Sequence, residues 1–251
     1  MDSVASLPSV GLAELDESWS LTRRYDTKFI VEQSELDKFF EATTTEFAAL
    51  EIDGLRMFSY RTVYFDTPDL LLYRDHAQRR RRRVKVRTRL YRDSGRTRLE
   101  VKAKMGNGQT QKALFEDRAE FGLEEISLID TTIADMYPTS RYSGLGSRLS
   151  RSAVTEFNRT TLISRTSAER ITCDTDMFLE SNGSRFRLKP GLVLVEVKSP
   201  QRISETVRQL RHLGWHSTSF SKYGAAIEST HDIRPRIHSA ESLARKLQRM
   251  N

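Results

Sequence analysis

The segment Val84-Lys85-Val86-Arg87-Thr88-Arg89-Leu90-Tyr91 alternates apolar and cationic positions with a period of two. That period predicts a strand with Lys85, Arg87 and Arg89 on one face and Val84, Val86, Thr88 and Leu90 on the other. The alternation returns in Leu99-Glu100-Val101-Lys102-Ala103-Lys104, where Glu100, Lys102 and Lys104 share a face. A third strand carries Lys112, Leu114, Glu116 and Arg118 together. Asp93-Ser94-Gly95 and Gly106-Asn107-Gly108 read as hairpin turns, so 83–92, 97–105 and 110–121 are three successive antiparallel strands. Further strands are predicted over 23–31, with Arg24, Asp26 and Lys28 on one face, and over 57–66, 154–163, 170–179, 185–188 and 192–198. Ser34 caps a helix reaching about Leu50, with Leu36, Phe39, Phe40 and Phe47 as its buried stripe. Thr67-Pro68-Asp69 opens a short helix, and 123–150 reads as helix and loop. Helices are also expected over 204–213 and 223–229, with a short extended piece at 215–219 between them.

Residues 1–20 read as a mobile leader, 21–231 as one domain, and 232–251 as a basic C-terminal helix in which Leu243, Leu247 and Met250 oppose Arg245, Lys246 and Arg249. The chain of 251 residues is long enough to bury a substantial core. Its net charge of +7 and pI of about 9.6 point to an anionic partner. A single cysteine, Cys173, excludes an intramolecular disulfide and a thiolate metal cluster and fits a reducing compartment. The acidic first twenty residues lack the apolar core of a signal peptide, and no apolar run is long enough to span a membrane.

The charges that share strand faces are Lys28, Arg87, Arg89, Lys102, Lys112, Arg159, Arg170, Glu196 and Lys198, drawn from at least seven strands. Antiparallel strands in that number can close into a barrel wide enough for a ligand. Inward-facing charges would need water, counter-charge or a polyanion, and oligophosphate suits an Arg/Lys lining. The alternative is a set of solvated outer faces, but exposed sheet faces seldom repeat Arg and Lys without acidic partners across the strands. Glu196, inside the apolar run Leu192–Val197, needs Arg, Lys or a metal. A carboxylate beside phosphate can hold Mg²⁺ or Mn²⁺, and an ion pair with a neighbouring cation serves equally. Asp174 and Asp176 share a face and are candidate second carboxylates, or else partners of Arg170 or strand caps. Ser221-Lys222-Tyr223 starts a helix and could meet phosphate, or simply cap it. The run Arg79–Arg83 resembles a nucleic-acid patch in isolation, yet aromatic residues do not interleave with the basic strands as in RNA recognition. There is no Walker A loop, dinucleotide glycine fingerprint or His-Glu-x-x-His.

The order Arg24-Tyr25-Asp26-x-Lys28, Tyr64-Phe65-Asp66-Thr67, Lys85-x-Arg87-x-Arg89-x-Tyr91, Leu99-Glu100-x-Lys102, Lys112, Asn158-Arg159, Arg170-x-Thr172-x-Asp174, Val195-Glu196-x-Lys198 and Ser221-Lys222-Tyr223 resembles the polyphosphate polymerase domain of the vacuolar transporter chaperone family. That domain belongs to the CYTH/triphosphate tunnel superfamily. The resemblance runs from about residue 22 to 229. It implies an α+β fold: an antiparallel β-barrel tunnel with surrounding helices, and ATP-dependent synthesis of inorganic polyphosphate. Carried over residue by residue, Lys28, Lys85, Arg87, Arg89, Lys102, Lys112, Arg159, Arg170, Lys198 and Lys222 would meet phosphates. Ser221 would join them, and Glu196 would hold Mn²⁺ or Mg²⁺.

Two departures stand out. The family often has Tyr where this chain has Phe157, which removes one phosphate-directed hydroxyl. The hydrolytic CYTH branch opens with Glu-x-Glu-x-Lys, whereas here Arg24 replaces the first acid, which favours a polymerase. Two other readings stay open: a triphosphatase acting on tripolyphosphate or a nucleoside triphosphate, and a non-enzymatic module binding polyphosphate, inositol phosphates or RNA. The expected partners are ATP and inorganic polyphosphate, with nucleic acid disfavoured. The expected location is cytoplasmic, and export of product would need a membrane protein.

Overall fold

The computed structural model describes residues 2–17, 25–107, 109–118, 121–137, 140–233, 236–238 and 240–250. After a 3-10 turn at Asp2–Ser6 the elements are β1 (Ser9–Val10), α1 (Leu12–Glu17), β2 (Tyr25–Glu32), α2 (Gln33–Ala42), β3 (Phe47–Leu50), β4 (Met57–Asp66), α3 (Leu71–Ala77), β5 (Arg83–Tyr91), β6 (Thr97–Lys104), β7 (Thr110–Glu116), α4 (Leu123–Met136), β8 (Ser150–Ser164), β9 (Arg170–Ser181), β10 (Ser184–Leu188), β11 (Leu192–Ser199), α5 (Glu205–His212), α6 (Lys222–Thr230), α7 (Ala240–Lys246) and β12 (Leu247–Met250). The fold is α+β, with mainly antiparallel strands; the short β1–β3 pair is parallel. The chain divides into two compact units. Unit 1 is Met1–Ser59, Phe157–Met177 and Leu188–Phe220; unit 2 is Tyr60–Glu156, Phe178–Arg187 and Ser221–Asn251.

In unit 1, β11 is the central strand, pairing with β2 on one side and β9 on the other. β3 pairs with the end of β8 and with β1. Because strand side chains alternate, Val193, Val195, Val197, Phe29, Val31, Ile171 and Cys173 fall on one face. They form a core with Leu36, Phe39 and Phe40 of α2, Val207 and Leu210 of α5, and Trp215. Ser204 caps α5 by accepting from the Val207 N–H. Two expectations change here. The helix expected to reach Leu50 stops at Ala42, where Thr43, Thr44 and Thr45 follow; three consecutive β-branched residues are poor helix formers, and Phe47–Leu50 is a fully buried strand instead. The expected leader is also anchored: Val4, Leu7 and Val10 are buried, and β1 extends β3.

In unit 2, β4, β5, β6 and β7 form an antiparallel meander. Its apolar face, Val84, Val86, Leu99, Val101 and Ala103, packs against Ile129 and Ile133 of α4. Gly146 approaches the α4 backbone so closely that a Cβ there would meet the Ile126 carbonyl oxygen at 2.5 Å. α3 begins at Leu71 rather than at Thr67-Pro68, because the Asp66 carboxylate takes the N–H groups of Leu72 and Tyr73 and so sets the helix start. β7 ends at Glu116 rather than 121, and the C-terminal helix ends at Lys246, followed by β12 against β10. The strand path of this unit runs from β12 to β7, and among the described residues no ladder joins those ends into a closed ring.

Candidate functional site

The face of the unit 2 meander opposite α4 carries the charges, and the strand register sets them in cross-strand rows. Lys85, Lys102 and Lys112 stand directly opposite one another across β5, β6 and β7. The next row is Arg87, Glu100 and Leu114, and the third is Arg89, Arg98 and Glu116. Glu100 is only 2% exposed and is the anchor of the face. Arg87 binds its Oε2 through Nε at 3.0 Å and Nη2 at 2.6 Å; Arg89 lies at 3.6 Å and Lys112 at 3.7 Å. Burial opposes the Glu100 charge, but Arg87, Arg89 and Lys112 together hold its pKa down to about 2. Burial likewise opposes the Arg87 charge, and Glu100 with the Tyr64 hydroxyl holds its pKa above the ordinary arginine value. Lys112 goes the other way: burial lowers its pKa, and Arg87, Arg89 and Lys102 add repulsion that Glu100 only partly offsets. Arg89 also donates to Thr62 Oγ1 at 3.2 Å, and Lys85 Nζ lies 3.4 Å from His76 Nε2.

The charged face of unit 1 is organised differently. Glu196 on β11 stands opposite Lys28 on β2 and Thr172 on β9; Lys198 stands opposite Asp26 and Arg170. Lys28 Nζ is 3.1 Å from Glu196 Oε1, and Lys198 bonds Oε2. Burial opposes the Glu196 charge, but Lys198 and Lys28 keep its pKa well below the usual carboxylate value. Lys198 is itself pushed down to about 8, chiefly by burial and despite Glu196. Asp174, a candidate second carboxylate or partner of Arg170, meets Arg159. It receives a bidentate fork from Arg159, at 2.6 and 2.8 Å. Arg159 also lies over the Phe157 ring, 5.1 Å from its centroid.

Ser221 is the N-cap of α6, its hydroxyl accepting from the Gly224 N–H at 3.2 Å, and Lys222 is the first helical residue. Of the expected phosphate ligands, then, Lys85, Arg87, Arg89, Lys102 and Lys112 share one face of unit 2, and Ser221 and Lys222 start a helix of that unit. Lys28, Arg159, Arg170 and Lys198 belong to unit 1. Arg24 lies outside the described residues.

A model of the VTC domain matches residues 23–231, most of the chain. The chain belongs to the VTC domain family. No curated protein matches it. Solved structures similar to this VTC domain include a putative adenylate cyclase from Bacillus halodurans, 11% identical, covering 79% of this chain and 94% of that one, with a TM-score of 0.49. Another is a putative adenylate cyclase from Vibrio parahaemolyticus, 12% identical, covering 89% and 98%, with a TM-score of 0.43. A third is a putative adenylyl cyclase from Hippeastrum with a dominant triphosphatase activity, 13% identical, covering 85% and 100%, with a TM-score of 0.44.

The expected divalent ion can be tested against the VTC domain's own side chains. Both Glu196 oxygens face lysines, and among the described residues no group of three or more His, Cys, Asp or Glu side chains gathers to hold a metal. The residues do not fit an ion held by the protein alone. Sequence reading also missed several contributors: Glu100 as anchor, Asp174 as the Arg159 partner, and Tyr64, which stands opposite Arg87 and stacks on Tyr223, itself bonded to Asp66. The period-two pattern puts Tyr64 and Asp66 on one face, but only the register shows that Tyr64 stands opposite Arg87.

Proposed function

We propose that this VTC domain makes inorganic polyphosphate from ATP, transferring the γ-phosphoryl group to the terminal phosphate of a chain. The observation that carries this reading is the row of three lysines, Lys85, Lys102 and Lys112, set directly opposite one another on adjacent strands. Like charges in that arrangement repel one another, and a bound polyanion would offset that repulsion. A phosphate chain supplies closely spaced negative charge that lysines meet as point charges and Arg87 and Arg89 as forks.

The chemistry asks little of the protein beyond alignment and charge. The acceptor oxygen at a chain end is largely ionised near neutral pH, so its attack requires no general base. A new P–O bond forms at the γ-phosphorus, the bond to the β–γ bridging oxygen breaks, and ADP departs with that electron pair. On the unit 2 face Arg87, Arg89 and Lys102, with Lys222 at the start of α6, are proposed to stabilise the transferring charge and Lys85, Lys112 and Ser221 to bind phosphates; on the unit 1 face Arg159 and Arg170 are proposed to stabilise phosphate charge and Lys28 and Lys198 to bind phosphates. Mn²⁺ or Mg²⁺ is proposed to arrive bound to ATP rather than in a cage built by the protein, and to neutralise phosphate charge there. Among the described residues no helix is long and apolar enough to cross a membrane; a membrane protein is the proposed partner for export of product.

The test is incubation of the purified protein with ATP and Mn²⁺, with and without a short phosphate primer. Polymer is resolved on a gel while ADP and free phosphate are measured. ADP with a long-chain ladder and little free phosphate is the expected result. ADP matched by free phosphate without a ladder would make the protein a triphosphatase, and binding without turnover would make it a polyphosphate-binding module.

A further inference from the structure

Tyr223 has a hydroxyl that its packing does not require. Its ring lies 5.0 Å from that of Tyr64 at an interplanar angle of 20°, a stack that phenylalanine would also make, and Tyr73 meets it edge-on at 6.4 Å and 85°. The hydroxyl, buried with the rest of the side chain, donates to Asp66 Oδ2 at 2.5 Å and lies 3.1 Å from Ser152 Oγ. Asp66 is fully buried and otherwise receives backbone N–H groups from Thr67 and Leu72 on Oδ1 and from Tyr73 on Oδ2, each at 2.8 Å. One carboxylate thus fastens the end of β4, the start of α3 and, through Tyr223, the first turn of α6.

The other face of this anchor reaches the charged strands. Tyr64 is buried and stands directly opposite Arg87 on β5, so the two side chains share a face, and the Tyr64 hydroxyl helps to raise the Arg87 pKa. The guanidinium is thus bound by Glu100 on β6 and flanked by Tyr64 on β4. The Tyr64 ring is in turn held by the Tyr223 ring. We infer that Tyr223 is a positioning residue for Arg87: anchored by Asp66, it fixes Tyr64 and thereby the aim of the Arg87 fork, while holding Ser221 and Lys222 at the start of α6 in the same unit. The inference rests on the reading that Arg87 binds phosphate. It adds that the fork's direction, and not only its charge, is set by a hydrogen-bonded aromatic pair.

The experiment is a double-mutant cycle read by tripolyphosphate calorimetry, with polymer synthesis and thermal melting measured on the same samples. Tyr223→Phe keeps the stack and removes the link to Asp66; it is expected to weaken tripolyphosphate binding at least about fivefold. In an Arg87→Lys background, where no fork remains to be aimed, the same change is expected to cost less than about twofold, while its effect on melting temperature is the same in both backgrounds. Tyr64→Phe, which removes the hydroxyl that Arg87 meets, is expected to repeat the loss and to be non-additive with Tyr223→Phe; it also serves if Tyr223→Phe folds poorly. An equal loss of binding in both backgrounds would show a general structural role and overturn the inference. A wild-type protein that binds tripolyphosphate but makes no polymer would overturn the polymerase reading while the cycle still decides the role of Tyr223. Absence of tripolyphosphate binding by the wild type would overturn both.

Discussion

The two charged sheet faces are built from the same parts to different effect. In unit 1 three cations meet acids directly: Lys28 and Lys198 share Glu196 and Arg159 forks onto Asp174, while Asp26 stands opposite Lys198. In unit 2 the row Lys85–Lys102–Lys112 has no acid within it, and Glu100 anchors the adjacent row. The first face is nearly self-neutralised; on the second, burial above all lowers the pKa of Lys112, and Arg87, Arg89 and Lys102 add repulsion to it. A face that balances its own charge can hold shape without a ligand. One that does not is the stronger candidate for gripping a polyanion.

The largest effect that would break this contrast comes from deleting one arginine of each face. Arg159→Ala leaves Asp174, 1% exposed, without its fork and should cost about 3 kcal/mol of stability. Arg87→Ala leaves Glu100 with Arg89 and Lys112 and should cost less, about 2 kcal/mol, yet lower turnover by roughly 100-fold or more. Urea unfolding and turnover measured on both variants would check this; equal stability losses with intact turnover would erase the distinction.

The pH responses should differ next. Glu100 has a folded pKa lowered to about 2, so its contribution is present above the ordinary carboxylate pKa and is lost as pH falls towards 2. That contribution is about 3 kcal/mol, and Glu100→Gln should flatten the acid limb of the stability profile. Lys198, with a pKa lowered to about 8, responds on the alkaline side. Between about 8 and its ordinary value the unfolded chain binds the extra proton, so this residue's contribution to stability rises with pH while its positive charge is lost. Phosphate affinity should therefore fall roughly tenfold above pH 8 without unfolding, and Lys198→Arg should remove that step. A flat affinity profile from pH 7 to 9.5 would deny Lys198 a phosphate contact.

How far the sequence carried can be followed along particular strands. Alternation placed Lys85, Arg87 and Arg89 on one face and found nearly all the longer strands, because a half-buried antiparallel strand writes its period directly into the chain. It misjudged Phe47–Leu50, where an all-buried strand has no alternation and its apolar run can extend a helical stripe. It missed the start of α3, which is set by a side chain, Asp66, rather than by Pro68. For the site, residue types and faces were legible, and the charge partners were not. That Asp174 receives the Arg159 fork, or that three lysines meet in one row, depends on register, which no single strand encodes.

The smallest of these effects bears most directly on the central claim that the lysine row is kept for a phosphate chain at the expense of stability. The measurement is thermal melting of Lys102→Gln beside the wild type, with and without tripolyphosphate. Without ligand, removing the middle charge should stabilise the protein by about 0.5 kcal/mol, and the ligand-induced rise in melting temperature should shrink. A variant that melts lower than the wild type without ligand, and gains as much from tripolyphosphate, would contradict the account.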